Sequence, residues 1–237
     1  MKLVHRFTLL TLLILCLLPT AQAKKKPRPG PKTIIPPCSQ GTPFRGCPAC
    51  GSKTQDADHL KLNVDKNRGT AVTSPQKITV QEIRDPANDQ GVFTVDKQVS
   101  VTGFVAGVDP GGMPETCNCK KKTLRDVHIN IVADPSEAGD QTKYVVVEFT
   151  PRWEKNFHFN DSNYDAMKKA VEKKISGKWV KFDGWMLRDF IHANASQSTS
   201  PNQPVCPKDG KLHNNCNWRA TPWEVHPVTA FTIVTGP

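Results

Sequence analysis

Beyond Leu18 the chain has no apolar run approaching the roughly 20 residues that a membrane-crossing helix needs, which excludes a polytopic membrane protein. It also lacks a Gly-rich phosphate loop, a Gly-x-Ser-x-Gly elbow and a His-Glu-x-x-His helix, so the common nucleotide-binding and hydrolase motifs are missing. Tyrosine is scarce, two residues against five Trp. The 15 Gly and 20 Pro among 237 residues follow no repeat, which rules out a collagen-like chain. With 37% hydrophobic and 23% charged residues, the composition is neither that of a coiled coil nor that of a wholly disordered protein.

What is present begins with an address. Lys2, His5 and Arg6 precede an apolar stretch from Leu9 to Leu18 and then Ala21-Gln22-Ala23, a small-x-small pattern. Residues 1–23 are therefore expected to be a cleaved signal peptide, and the protein to be secreted or periplasmic and not integral to a membrane. Residues 24–37 carry five basic residues, five prolines and no acid, the composition of a solvated leader. Much of the formal net charge of +10 is concentrated there, so the charge is no sign that the folded body binds nucleic acid.

Seven cysteines follow the leader: Cys38, Cys47, Cys50, Cys117, Cys119, Cys206 and Cys216. In an oxidising compartment they should pair, and an odd number leaves one thiol single or linking two chains. Cys206 and Cys216 bracket a polar loop and are expected to be bridged, whereas Cys117 and Cys119 are too close together to close on each other. Cys47-Pro-Ala-Cys50 reads either as half of a zinc set with Cys38 and His59 or as a disulfide staple. No helix is apparent after it, which argues against a thioredoxin-like redox pair.

Residues 38–91 are turn-rich and have little periodicity; they read as a Cys-rich appendage on a larger domain spanning 92–237. In that domain, apolar residues alternate over 93–108 (with Gly103 and Gly107 as bends), 126–132 and 144–149, the period of three strands. Ser162 to Asp165 has a capping-box pattern, and Tyr164, Met167, Val171 and Ile175 form the apolar stripe of a helix that Gly177 would end. Residues 179–187 make a fourth strand. Residues 221–226 and 229–234 make a fifth, either broken at Pro227 or running along an edge with a bulge.

Strand, strand, strand, helix, strand, strand, with glycines in the first and fourth strands, resembles the OB-fold, a five-stranded Greek-key barrel with its helix between strands three and four. The phrases Asp126-Val-His128, Trp185 to His192 and Trp223-Glu-Val-His226-Pro227 are also similar to those of exported bacterial proteins of uncharacterised function. That likeness implies no activity.

Asp126 and His128 are two apart on one strand, as are Glu224 and His226 on another, so each pair projects from one strand face. If the two strands are neighbours, the four groups suit a divalent metal, with His192 as a fifth; otherwise they form outward-facing polar stripes. Glu148 and Arg152 flank the end of the third strand. An acid that orients water beside an arginine that clamps phosphate is the arrangement of staphylococcal-nuclease-like enzymes, whose acidic catalytic loop has no counterpart here. Trp185, Trp223 and Arg219 could instead present contacts for bases or sugars along a barrel face.

Two functions follow. The first is an exported, non-enzymatic binding module that takes an oligomeric ligand (nucleic acid or saccharide) or a protein partner at Trp185, Arg219 and Trp223. The second is a metal-dependent phosphodiesterase or nuclease with Asp126, His128, Glu224 and His226 as ligands and Arg152 on the phosphate.

Overall fold

The computed structural model describes residues 43–52, 56–85, 93–112, 115–157, 164–208 and 215–237. The chain divides into Met1–Ile34, which lies outside those residues, and Ile35–Pro237, which holds all of them. The expected signal peptide, the basic leader and Cys38 therefore lie outside the described residues.

Five strands close into a barrel: β2 (Gln98–Pro110), β3 (Val127–Val132), β4 (Val145–Phe149), β5 (Trp179–Arg188) and β6 (Trp223–Val234). β2 pairs antiparallel with β3, β3 with β4, and β6 with β5; β4 and β6 run parallel, and β5 returns to β2. The helix α3 (Tyr164–Ile175) comes between the third and fourth barrel strands, as the OB-fold expectation requires. Its stripe of Tyr164, Met167, Val171 and Ile175 is buried, and Gly177 follows it at φ +69°.

β2 serves two partners, β5 along Gln98–Phe104 and β3 along Phe104–Pro110. The handover falls at Phe104, and at Gly103 just before it a Cβ would come within 2.9 Å of the Ile131 side chain. A register shift between Val105 and Gly107 completes the bend. The first strand starts later than the alternation suggests, and Phe93 lies outside it, edge-on to the Trp223 ring at 5.7 Å. The fifth strand is neither broken nor at an edge. β6 continues through a cis His226–Pro227 peptide with β4 and β5 on its two sides, and Pro227 is accommodated where the β5 register slips.

Within residues 38–91, regular elements form that the sequence reading did not anticipate. α1 (Ala57–Lys66) is capped by the Asp56 carboxylate, which accepts from His59 N. β1 (Gln76–Thr79) lies parallel to β2, and α2 (Val80–Arg84) follows with a Thr79/Glu82 capping box. α1 escaped detection because the side it buries is partly polar: Leu62, Asn63 and Lys66.

Two disulfides join described residues, Cys47–Cys119 and the expected Cys206–Cys216. Cys50 is disulfide-bonded as well, and Cys117 is a buried free thiol. Since Cys47 is bonded to Cys119, it belongs neither to a Cys47/Cys50 redox pair nor to a zinc set with Cys50 and His59. No helix among the described residues is long and apolar enough to cross a membrane.

The core fills the barrel. Val127, Ile129 and Ile131 of β3 meet Val145, Val147 and Phe149 of β4 there, all at 0–1% exposure. Each such side chain taken from water contributes about 1.5–3 kcal/mol. The alternate residues of β3 and β4 face outward, yet they are buried too. This second buried layer, outside the barrel wall, holds the chemistry.

Candidate metal centre

Strand register dictates which polar groups meet. His128 of β3 is directly opposite Glu148 of β4. In the parallel pair, Val146 and Val147 of β4 are matched with Glu224 and Val225 of β6. The two histidine-bearing strands, whose adjacency was the condition for a shared site, are not neighbours: β4 runs between them. The groups still converge, because Glu148 sits in the gap. Its Oε1 is 3.1 Å from His128 Nε2 and its Oε2 is 2.9 Å from His226 Nδ1. Glu148 is thus the hub of the cluster rather than a phosphate-site acid beside Arg152.

Asp126, just before β3, completes the group. Its Oδ2 accepts from Asn118 Nδ2 at 3.0 Å and from the Cys117 thiol at 3.7 Å, and lies 3.9 Å from His226 Nε2. Asp126, Glu148 and His226 each offer a ligand atom within 4.8 Å of the others, and Glu115, Cys117 and Asp126 form a second such set sharing Asp126. The expected ligand set changes accordingly. Asp126 and His226 are joined by Glu148, whereas Glu224 stays beside His226, its Oε1 3.2 Å from Nδ1, and is also held by Arg219 at 2.9 Å and Lys66 at 3.9 Å. His128 lies across Glu148, with Glu115 Oε1 at 3.8 Å.

The layer above these groups comes from distant parts of the chain. Lys66, at the end of α1, is 2.9 Å from Asp189, which also bonds His192. Asn67 donates to the carbonyls of Ala49 and Cys117, tying two loops together beside Cys47–Cys119. Trp218 stacks over the His128 ring at 6.2 Å, with His192 edge-on to it at 5.3 Å. One disulfide therefore staples each cover, Cys47–Cys119 on the α1 side and Cys206–Cys216 within the excursion between β5 and β6.

The electrostatics follow from this enclosure. Burial alone would lower the two imidazoles, but the adjacent Glu148 carboxylate outweighs it, raising His128 to about 9 and His226 to about 10. Burial and then Glu115 push Asp126 well above the ordinary carboxyl range. Burial would also raise Glu148, yet His128 and His226 hold it well below that range. Burial, followed by Asp126 and Glu115, pushes the Cys117 thiol up. By hydrogen-bond geometry, both Glu148 oxygens, Asp126 Oδ1 and His226 Nε2 have no partner, although the Glu148 oxygens lie within ion-pair distance of the imidazoles. Buried polar atoms in that state call for an explanation, and an ion is one.

The residues expected to present a ligand face do not form one. Trp223 is 3% exposed because it shares the inward parity of Val225 and joins the core. Arg219 is fully buried, drawn in by Glu224 and by the Thr221 carbonyl at 2.7 Å. Trp185 is half-buried; its indole N–H donates to Thr70 O, and Arg68 lies over its ring at 4.5 Å. Arg152, expected to clamp phosphate, donates from Nε to Asn67 Oδ1 at 2.8 Å and from Nη2 toward the Cys47 and Pro48 carbonyls. Lys66, Asp189, Glu115 and Cys117 were not singled out from sequence as site residues. Only the odd cysteine count hinted at one of them.

No protein-family model matches the chain, and no curated protein matches it in sequence. A solved structure similar to it is that of a putative aspartyl-tRNA synthetase from Leishmania major Friedlin, at 14% identity and a TM-score of 0.27. The match covers 72% of this chain but only 23% of the synthetase, and a likeness of that size carries no functional argument.

Proposed function

We propose that the protein is an exported, non-enzymatic binding module whose ligand is a divalent metal ion, held at the outer face of its OB barrel by Asp126, Glu148 and His226. The observation that carries this reading is the convergence of the three side chains, with donor atoms within 4.8 Å of one another at 0–1% exposure. Carboxylate and imidazole together suit zinc and its first-row neighbours. An ion that displaces two protons from the cluster leaves the buried charge unchanged, which avoids the large cost of an uncompensated charge in a dry layer.

Export through residues 1–23 and kinship with exported bacterial OB proteins belong to the same proposal, and the disulfides support an oxidising compartment. Holding an ion is favoured over phosphodiester cleavage for two reasons. Asp126, Glu148 and His226 are only 0–1% exposed, and Arg152 is committed to Asn67.

The test is metal titration of the chelator-treated protein by calorimetry, with Zn²⁺, Co²⁺ and Mn²⁺. One ion per chain is expected, together with a gain of about 2.7 kcal/mol in stability when the free ion is at 100 times Kd. Glu148→Gln and Asp126→Asn should each weaken uptake at least about tenfold. Failure of the wild-type chain to take up any of the three ions would overturn the reading.

A further inference from the structure

Resting on that reading, we infer that Cys117 is a ligand of the same ion and that the site takes a thiophilic divalent metal of the Zn²⁺ or Co²⁺ class. Cys117 is the single free cysteine among the described residues, at 2% exposure, although Cys119, two residues on, is oxidised to Cys47. Its sulfur points into the cluster, 3.5 Å from Glu115 Oε2 and 3.7 Å from Asp126 Oδ2.

The same Asp126 oxygen lies 3.9 Å from His226 Nε2. One oxygen is thus nearly equidistant from a sulfur and a ring nitrogen. Tetrahedral bonds of about 2.3 Å to sulfur and 2.0–2.1 Å to nitrogen and oxygen place ligand atoms about 3.3–3.6 Å apart. The sulfur–oxygen and oxygen–nitrogen pairs need to close by only a few tenths of an ångström. Cys117 and His226 do not fall in one set of donors within 4.8 Å and need a larger approach, with Asp126 as the ligand common to both. A second observation points to a ligand independently of the thiol: Asp126 Oδ1 and His226 Nε2, on side chains each 1% exposed, lack hydrogen-bond partners.

Sulfur, nitrogen and carboxylate oxygen together select against Mg²⁺ and Ca²⁺, which want oxygen alone. The ion would also explain why one thiol stays reduced in a disulfide-bonded chain, because a thiolate bound to metal within a dry layer is withdrawn from exchange.

The experiment is the absorption spectrum of the full, oxidised chain loaded with Co²⁺. A near-ultraviolet sulfur-to-cobalt charge-transfer band is expected. In Cys117→Ser the band should vanish while Co²⁺ still binds, at least about tenfold more weakly. A large excess of Mg²⁺ should leave the wild-type band intact. Co²⁺ binding to the wild-type chain without the band, or displacement of Co²⁺ by Mg²⁺, would overturn the Cys117 assignment and leave the carboxylate–histidine site standing. Absence of Co²⁺ uptake would overturn the Cys117 assignment, and the site itself would fall only if Zn²⁺ and Mn²⁺ were refused as well. The wild-type spectrum decides the matter even if the variant fails to fold, and Cys117→Ala is a second check on the band.

Discussion

The two faces of the β3–β4–β6 wall are equally dry and chemically opposite. Inside are Ile129, Val147 and Val225; outside, one residue along each strand, are His128, Glu148 and Glu224, all at 0–7% exposure. Burial by itself thus says nothing about role. The inner layer is held by area removed from water, which is non-directional and tolerant of small shifts. The outer layer is held by ion pairs whose net contribution is small when complete and which become costly when one partner is lost. A protein seeking stability alone gains little from such a layer, which is why the outer face, and not the core, is read as functional.

Truncating the inner face should have the largest effect. Phe149→Ala removes a ring packed against Phe157 at 4.5 Å and Phe231 at 5.2 Å, and should cost about 3–5 kcal/mol by urea unfolding. The affinity of the remaining folded molecules for metal should be unchanged. A parallel loss of metal binding would erase the distinction between the faces.

The staple comes next. Cys47 and Cys119 are 72 residues apart, and replacing both by Ser should cost about 2–4 kcal/mol while also weakening metal uptake, since this bridge holds the cover beside Asp126. The Cys206/Cys216 pair, only 10 apart, provides the comparison, with a smaller stability loss and little effect on uptake.

The smallest effect is an acid limb confined to the outer layer. Burial would raise the Asp189 carboxyl, but Lys66 and His192 hold it well below its ordinary range. Its folded value lies below its unfolded one, so its contribution is fully present above about pH 4 and fades as pH falls through the folded value. Urea midpoints measured across the acid range should drop in the wild type and fall less steeply in Asp189→Asn. Identical slopes would mean that the Lys66–Asp189 pair does not couple the cover to the barrel.

Much of the barrel was legible because period-two runs such as Val127, Ile129 and Ile131 state their own parity, and the α3 stripe states its period. Asp126, His128, Glu224 and His226 could be paired by the same rule. The place of Glu148 could not be read, because it depends on β4 lying between β3 and β6. Trp223 shows the converse: its parity with Val225 was visible, but which parity faced inward was not. α1 was hidden by Asn63 and Lys66 on its buried side, polar residues whose partners, the Cys50 carbonyl and the Asp189 carboxylate, lie in other parts of the chain.

By itself, then, the sequence determined where the five barrel strands and the helix between the third and fourth fall along the chain, the Cys206–Cys216 bridge and which side chains share a strand face. Those depend on neighbours a few residues apart, whose geometry the backbone imposes. Tertiary structure alone decided that the outer face is roofed, that Glu148 is its hub and that Cys117 is the thiol left over. These depend on contacts such as Asn67 to Cys117 and Arg152 to Asn67, 50 and 85 residues apart, which local propensity cannot encode.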